Sequence, residues 1–301
     1  LVYVPIGPVS ADNSLLAWMD RQGNIQPLLD TPRPYNAASL SPDGQKLAMT
    51  ILAANDDIWV YHITRGTLTR LTFGGGNSAS PIWTPDGKYV VYNSERGRSL
   101  NLFWKPWDGS GVEERLSEEV DVGAPTSFTL DGKMMAFEQV GDIWILPLDN
   151  ERKARPFIQS PANEYGADFS PDGRWIAYVS NESGRDEVYV VPFPKRDGKW
   201  QISTGGGSGL KWSRSGKELL YVEGRKVMKV DVSLQPAFDF SPPQKVCELP
   251  PSAFALHDLS PDGKRFVARL TRAHERELNV TQVNVVVGWF EELKQKFAGN
   301  K

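Results

Sequence analysis

A four-residue turn that recurs six times constrains this chain more than any other feature of its sequence. Its complete form is Ser-Pro-Asp-Gly, in which proline presets φ, aspartate suits the third position and glycine takes the left-handed conformation that closes a hairpin. The turn glycines lie 43, 45, 41, 43 and 47 residues apart, which is the period of a four-stranded propeller blade. The six copies occupy Ser41–Gly44, Thr84–Gly87, Thr129–Gly132, Ser170–Gly173, Ser213–Gly216 and Ser260–Gly263. The spacing predicts an all-β fold, a six-bladed β-propeller of four-stranded antiparallel blades that forms one domain over residues 1–301.

An apolar segment follows each turn, and a second one follows that, usually after a polar residue. After the fourth turn these segments are Trp175–Tyr178 and Glu187–Val190. Such segments are apolar on both sides, which is typical of sheets that pack on both faces. Stacked sheets lie about 10 Å apart, and large aromatic side chains fill that gap. We therefore predict that the Trp and Tyr side chains are mainly core residues.

The two ends of the chain are predicted to meet. Residues 1–29 read as a blade without its innermost strand, with strand-like runs at Leu1–Val4, Leu15–Trp18 and Ile25–Leu29. The last repeat supplies two inner strands, at Phe254–Leu259 and Arg265–Leu270. N-terminal strands are therefore expected to complete the final blade, because closure removes two exposed sheet edges. Apolar residues at helical spacing predict a short C-terminal helix at about 289–297.

The bulk composition restricts the possible partners. A formal net charge of -3 and a pI of about 5.8 give no electrostatic footprint for nucleic acid. The apolar runs are shorter than the ~18–20 residues that span a bilayer. The one cysteine, Cys247, reads as a small buried residue, and no leader is visible, so the chain is expected to be an excised domain or a mature product. We expect a monomer.

The repeats resemble those of a known family. Ser-Pro-Asp-Gly-Lys/Arg, an apolar strand and then Asp-Ile-Trp-Val resemble the WD40-like repeat of the TolB C-terminal propeller. Three further stretches are similar to the C-terminal propellers of bacterial Ser/Thr protein kinases, namely residues 1–5, 16–23 and 289–293. The resemblance implies a sensor or interaction domain, and an extracytoplasmic or periplasmic location. TolB itself carries an additional N-terminal domain that this chain does not show.

The sequence contains no recognisable arrangement of catalytic residues, and no cofactor is predicted. Gly206–Gly209 misses the spacing of a serine-hydrolase elbow, and the three histidines have no metal-ligand spacing. Two enzymatic alternatives stay open. One is a metal-assisted hydrolase or lactonase that uses the pore, and the other is the gating propeller of a prolyl-oligopeptidase-like or tricorn-like peptidase. The pore alternative would draw on Asn36, Asn77, Asp121 and Glu164, which all precede inner strands.

Acidic residues that open strands have a simpler interpretation. Asp57, Asp142 and Glu187 occupy equivalent places in their repeats. A general acid or base role is conceivable, but a repeated acid usually satisfies a repeated backbone donor. We predict that these three residues are structural.

Loops on one face are predicted to carry the function. The loops that enter the inner strands and those that join second to third strands share a face, and they are long and uneven. We predict a non-catalytic propeller, the sensor or interaction domain of a bacterial signalling protein, that binds a protein, a peptide or a small ligand at this face or in the central channel. The candidate binding residues are Tyr35, Asn36, Asn77, Arg96, Arg98, Glu164, Tyr165, Arg185, Phe254 and His257.

Overall fold

Six sheets make up most of the described chain. The computed structural model describes residues 2–3, 13–73, 76–97, 99–117, 122–149, 152–235, 237–271 and 284–285. Each of the six sheets is an antiparallel blade whose strands follow one another from the inside outwards. The fold is the predicted six-bladed β-propeller.

The first three blades are continuous in sequence. Blade 1 contains β4 (Tyr35–Leu40), β5 (Lys46–Ile51), β6 (Asp57–His62) and β7 (Thr67–Arg70). Blade 2 contains β8 (Ser78–Trp83), β9 (Tyr89–Arg96), β10 (Ser99–Pro106) and β11 (Glu114–Arg115). Blade 3 contains β12 (Pro125–Phe128), β13 (Met134–Gln139), β14 (Asp142–Pro147) and β15 (Arg155–Ile158).

Blade 5 departs from the four-stranded pattern. Blade 4 contains β16 (Glu164–Phe169), β17 (Trp175–Ser180), β18 (Glu187–Pro192) and β19 (Trp200–Gln201). Blade 5 contains β20 (Ser208–Trp212), β21 (Glu218–Glu223), β22 (Lys226–Ser233), β23 (Asp239–Phe240) and β24 (Gln244–Glu248). The long strand β22 pairs with β23 near its end and with β24 near its beginning, so this sheet has five strands.

Both ends of the propeller sequence build blade 6. It contains β25 (Ala253–Leu259), β26 (Arg265–Thr271), β2 (Ser14–Asp20) and β3 (Ile25–Pro27), in that order. β2 lies antiparallel to β26, with Ser14 opposite Thr271 and Asp20 opposite Arg265. The prediction that N-terminal strands close the ring is therefore confirmed.

One N-terminal run pairs differently from the prediction. β1 (Val2–Tyr3) pairs with β27 (Asn284–Val285) in a separate two-stranded sheet, so it is not a strand of blade 6. The blade already has an outer strand in β3. Asn13–Arg272 forms one compact unit, and Leu1–Asp12 with Ala273–Lys301 forms a second. The helix predicted at about 289–297 lies outside the described residues.

The apolar core is divided among the six junctions between neighbouring blades. One cluster joins blades 4 and 5 through residues such as Val190 and Leu219, and another joins blades 6 and 1 through Leu16 and Met49. The other four junctions have clusters of the same kind. Each blade is apolar on both faces because each face meets a neighbour. The aromatic core is confirmed at Trp18, Trp83, Trp175 and Trp212, which are all buried.

The recurring turns have the predicted geometry. All six turn glycines have φ between 67° and 70°, in the left-handed region. In each turn the glycine N–H donates to the carbonyl of the first turn residue, as from Gly44 to Ser41 at 2.8 Å. Neighbouring turns also touch, since a methyl group on Gly44 would lie 3.1 Å from the Pro261 ring. The turns of blades 6 and 1 thus pack directly together.

No helix occurs in the described part of the chain, and hence none that is long and apolar enough to cross a bilayer.

Candidate functional site

The six inner strands, β4, β8, β12, β16, β20 and β25, surround a central channel. We call the face where these strands begin the entrance face, and the face with the Asp-Gly turns the turn face. Two adjoining cavities fill the channel, an entrance cavity of about 280 Å³ and a turn cavity of about 400 Å³. Both are lined by Ser39, Ile82, Thr126, Lys211, Asp258 and Leu259.

Each inner strand changes register part-way along the channel. The shift in β16 lies between Tyr165 and Asp168, and the shift in β20 lies between Ser208 and Lys211. Gly166 and Gly209 have φ of 65° and 56° at these bulges, in the region that glycine adopts most easily. A bulge interrupts the ladder and redirects side chains. The wall of the channel therefore presents polar groups beside apolar ones.

A charged group lies where the two cavities meet. The Lys211 ammonium is 3.8 Å from the Asp168 carboxylate, and Asp168 with Asp258 raises the pKa of Lys211 above its usual range. Asp168 Oδ2 accepts a hydrogen bond from the Trp212 N–H at 2.9 Å. Burial raises the pKa of Asp168, and the ammonium beside it opposes that shift. A half-buried ion pair thus lies in the wall of the channel.

Asp258 has neutral partners instead. Its Oδ2 accepts from the Leu40 N–H at 2.8 Å and from the Ser39 hydroxyl at 3.3 Å, while its Oδ1 accepts from the Leu259 N–H at 2.8 Å. Among the described residues, no lysine or arginine lies within 4.0 Å of this carboxylate. The channel thus contains two carboxylates and one cation at this level.

Two polar atoms of the entrance cavity are buried without a hydrogen-bond partner. They are the Tyr221 hydroxyl, whose residue is only 1% exposed, and His257 Nε2. Burial and the Arg269 charge lower the pKa of His257 to about 3, so its ring is neutral at physiological pH. Burial raises the pKa of Tyr221 to about 12. Buried polar groups are normally paired, so these two atoms mark a place for a ligand or for water.

Arg269 brings several predicted site residues together. Its guanidinium donates to the Tyr35 carbonyl at 2.7 Å and to Asn36 Oδ1 at 3.3 Å, and it covers the Phe254 ring at 4.4 Å. Tyr35 itself is buried in the junction between blades 6 and 1. Tyr35 is therefore a core residue, while Asn36 and Phe254 stay exposed.

The predicted residues of blade 2 hold loops in place. Asn77 accepts from the Asp56 N–H at 3.1 Å and donates to Glu95 at 3.2 Å. The Arg96 side chain forms a 2.8 Å ion pair with Glu113. Arg98 lies outside the described residues.

The predicted residues of blade 4 are also engaged. Glu164 is buried and accepts from the hydroxyls of Ser160 at 2.5 Å and Ser180 at 3.1 Å. The Tyr165 hydroxyl donates to Asp186 at 2.8 Å, and burial together with that carboxylate raises its pKa. Arg185 pairs with Glu187 at 2.7 Å. The ten predicted residues thus form local groups, and whether they bind a ligand stays a prediction.

The acids that open strands serve the scaffold through a hydroxyl. Asp57 accepts from the Thr72 hydroxyl at 2.7 Å, and that hydroxyl accepts from the Ile58 N–H at 3.0 Å. In the same way, the Ser203 hydroxyl donates to Glu187 and accepts from the Val188 N–H. In blade 3, Asp142 accepts from the Gln159 amide at 3.0 Å. Glu187 also accepts directly from the Gly206 N–H at 3.1 Å, as predicted, whereas Asp57 reaches its backbone donor through Thr72.

The residues of the pore-metal alternative do not converge in the part of the chain described. Asn36, Asn77 and Glu164 bond to different partners, and Asp121 lies outside the described residues. Within the described ranges, no group of three or more His, Cys, Asp or Glu side chains could hold a metal ion.

Exposed apolar side chains collect on the entrance face. Phe73, Val140 and Phe254 are 69%, 88% and 46% exposed, and all three lie in loops or strand ends of that face. Leu130 and Val112, at 71% and 87%, belong to the turn face.

Residues 21–142 match a family model described as the TolB beta propeller domain. This segment runs from the β2–β3 turn of blade 6 into blade 3. The chain is a six-bladed β-propeller that is similar to the TolB beta propeller domain over residues 21–142.

Curated relatives of this TolB-like propeller match over parts of their length. It is 27% identical over 194 residues to an uncharacterised protein of Agrobacterium fabrum, which covers 59% of this chain and 66% of the relative. It is 22% identical over 195 residues to the uncharacterised peptidase YuxL of Bacillus subtilis, covering 49% of this chain and 30% of the relative. It is 30% identical over 119 residues to the Tol-Pal system protein TolB of Francisella tularensis, covering 38% of this chain and 27% of that protein. The chain therefore spans less than two thirds of each of these relatives.

Solved structures show the same architecture. A protein of Agrobacterium tumefaciens assigned as TolB superimposes with a TM-score of 0.66 at 17% identity, covering 86% of this chain and 98% of the other. TolB of Acinetobacter baumannii superimposes with a TM-score of 0.58 at 16% identity, covering 85% of this chain and 63% of the other. An oligogalacturonate lyase of Vibrio parahaemolyticus superimposes with a TM-score of 0.55 at 12% identity, covering 85% of this chain and 78% of the other. At these identities the likeness concerns the fold alone.

Six residues in the wall of the channel were not predicted from the sequence. Their positions nevertheless repeat, because each lies two residues before the serine or threonine that opens a turn. The six occupants are Ser39, Ile82, Ser127, Asp168, Lys211 and Asp258. Comparing the repeats position by position would have found them. The strained Val140 gives no such signal.

Proposed function

We propose that this TolB-like chain is a non-catalytic recognition propeller that binds a protein partner through its entrance face. The observation that carries this proposal is the distribution of exposed apolar side chains. Among the described residues, three of the five large exposed apolar side chains lie on the entrance face, namely Phe73, Val140 and Phe254. Exposed apolar groups rimmed by polar residues are typical of protein interaction sites.

Val140 supports the proposal most strongly. It is 88% exposed, and its φ of 51° places a β-branched residue in the left-handed region. That conformation is unfavourable by roughly 1–2 kcal/mol for such a residue, and exposure of the side chain adds nothing to the stability of the free protein. A strained and exposed valine is expected where a bound partner covers the side chain.

A guanidinium group lies over each of the two exposed aromatic rings. Phe254 lies under Arg269, which is anchored on blade 1, and Phe73 lies within 5.1 Å of the Arg70 guanidinium. Aromatic side chains held in place lose little entropy on binding, which favours recognition.

We further propose that the propeller is the sensor or partner-binding part of a larger bacterial signalling protein, in an extracytoplasmic or periplasmic position. This proposal rests on the resemblance, drawn from the sequence alone, of residues 1–5, 16–23 and 289–293 to the propellers of bacterial kinases. A second candidate is the propeller of a larger peptidase, which the similarity to YuxL favours. The complete open reading frame distinguishes them, since a kinase domain or a hydrolase domain would accompany the propeller.

Two valines on opposite faces provide a matched test of the binding face. A photoreactive benzophenone amino acid is placed at position 140 in one variant and at position 112 in another, in the cells that produce the protein. Val140 and Val112 are equally exposed, at 88% and 87%, so accessibility is the same. We expect a discrete protein adduct from position 140 only, and we expect Val140→Asp to reduce adducts formed from position 254. Adducts from position 112 alone, or equal adducts from both faces, would contradict the proposal.

A further inference from the structure

We propose that the entrance cavity binds a primary ammonium group on an apolar stem, either a small alkylamine or a lysine side chain of a partner, with Asp258 as the carboxylate that receives it. The inference rests on the proposed function in that the ligand enters from the entrance face. It names the chemical class of ligand that the central channel would bind, which the exposed apolar residues of the entrance face do not specify.

The charges at the floor of the cavity favour a cation. Asp258 and Lys211 line the entrance cavity, and the Lys211 ammonium is already paired at 3.8 Å with Asp168, which lines the turn cavity. Asp258 receives hydrogen bonds only from the neutral donors Leu40, Ser39 and Leu259 in the described part of the chain. Its Oδ1 has one such bond and can accept another. An ammonium beside Asp258 would give this carboxylate a cationic hydrogen-bond donor in place of neutral ones alone.

The geometry of the donors and acceptors supports the same conclusion. An ammonium carries three N–H donors and needs several acceptors when it leaves water. Two buried atoms in the cavity have no hydrogen-bond partner, His257 Nε2 and the Tyr221 hydroxyl. Because the His257 ring is neutral, its Nε2 can accept a hydrogen bond. Tyr221 is 1% exposed, so its hydroxyl has no alternative partner in bulk water. These two residues and Asp258 all line the entrance cavity, which therefore offers several acceptors to an ammonium ligand.

The walls of the cavity suit a short apolar stem. Ala38, Ile82, Leu210 and Leu256 line it, one from each of four different blades. A volume of about 280 Å³ accommodates a butylammonium ion, which is the side chain of lysine without its backbone. A ligand carboxylate would instead have to use Lys211, and it would then lie beside Asp168 and Asp258.

Ligand-observed NMR titration at low ionic strength tests the charge that the cavity selects. The probes are n-butylammonium, its neutral analogue n-butanol and the anion n-butyrate. We expect saturable binding of n-butylammonium only. Binding of n-butyrate in preference to n-butylammonium, or no difference between n-butylammonium and n-butanol, would overturn the proposal.

Two substitutions should change the affinity for n-butylammonium in opposite directions. Asp258→Asn keeps an oxygen that can accept from Leu40 N–H but removes the charge, and it should weaken binding by about tenfold or more. Lys211→Met removes the competing cation with a side chain of similar length, and it should strengthen binding severalfold. Asp239→Asn, on an exposed outer strand, changes the net charge equally and should have no effect. The reverse signs would identify an anion site and refute the inference.

The source of the ammonium is tested separately. Nα-acetyl-lysine-N-methylamide carries the same group on a peptide backbone. If it binds at least as tightly as n-butylammonium and depends on Asp258 in the same way, a partner lysine is supported. If only n-butylammonium binds, a small amine is supported. The photocrosslinking at positions 140 and 112 is independent of Asp258, so failure of the proposed function and failure of this inference give different results.

Discussion

The carboxylate of Asp258, in the last inner strand, accepts a 2.8 Å hydrogen bond from the backbone N–H of Leu40, in the first. Two equivalent bonds link other neighbours, from the Phe169 N–H to Ser127 and from the Trp212 N–H to Asp168. Only the bond from Leu40 joins strands 218 residues apart. It adds a contact between the inner strands of blades 6 and 1, next to the place in blade 6 where β26 pairs with β2 to close the ring.

Removal of this acceptor should destabilise the closed ring. We expect Asp258→Ala to lower the free energy of unfolding by about 1–3 kcal/mol, because a buried N–H is left without a partner. Asp258→Asn retains an acceptor oxygen and should be clearly less destabilising. Urea unfolding followed by tryptophan fluorescence measures both. Equal losses in the two variants would show that this hydrogen bond is not the cause.

Relief of strain at Val140 should stabilise the protein. Val140 has a φ of 51°, and asparagine adopts such a conformation much more readily. We expect Val140→Asn to raise the free energy of unfolding by about 1 kcal/mol. Val112→Asn, at an equally exposed position on the opposite face, serves as the control and should change stability little. A destabilised Val140→Asn protein would contradict the strain argument.

His257 should make stability depend on pH. Its pKa is about 3 in the folded protein and about 6.5 when unfolded, so below pH 6.5 the unfolded chain binds more protons. The contribution of the neutral ring is present above pH 6.5 and is lost progressively as the pH falls towards 3. Between pH 8 and pH 5, the wild type should lose about 1–2 kcal/mol more stability than His257→Gln, which does not titrate. Parallel pH profiles of the two proteins, from urea unfolding, would refute this assignment.

An ion pair between blades 5 and 6 should contribute a measurable coupling energy. The Arg21 guanidinium contacts both oxygens of Glu218, at 2.6 and 3.1 Å, and also donates to the Gly263 carbonyl at 2.7 Å. A double-mutant cycle with Arg21→Met and Glu218→Gln should give about 0.5–1 kcal/mol, decreasing at high salt. Hydrogen bonding to Arg21 lowers the pKa of Glu218, so the coupling should be present near neutral pH and vanish as acid protonates Glu218. A coupling near zero at low salt would mean that packing alone holds this junction.

The fold could be predicted from the sequence because its determinants are local and repeated. Gly44 and its five counterparts adopt a backbone conformation that most other residues avoid, and this marks every blade. The closure by residues 14–27 was predictable because the last repeat has only two inner strands. The pairing of Val2 with Val285 was not, because a two-residue strand carries no pattern.

The candidate site was predictable only in part. The entrance face follows from strand order, so Asn36 and Phe254 were placed on it correctly. The burial of Tyr35 was missed, because only the packing of blade 1 against blade 6 turns that side chain inwards. Lys211 and Asp258 occupy the same position in their respective repeats, but the two residues come close together only when the ring is closed.

By itself, the sequence determined the number of blades, the positions of the six recurring turns and the closure of the last blade by N-terminal strands, since glycine conformation and apolar periodicity act within a few residues of one another. The tertiary structure alone decided which side chains meet on the axis, which polar atoms remain unpaired and where Val140 is exposed. These properties arise from residues more than 40 positions apart that approach only when the blades close around the channel. Local sequence patterns carry no record of such distances.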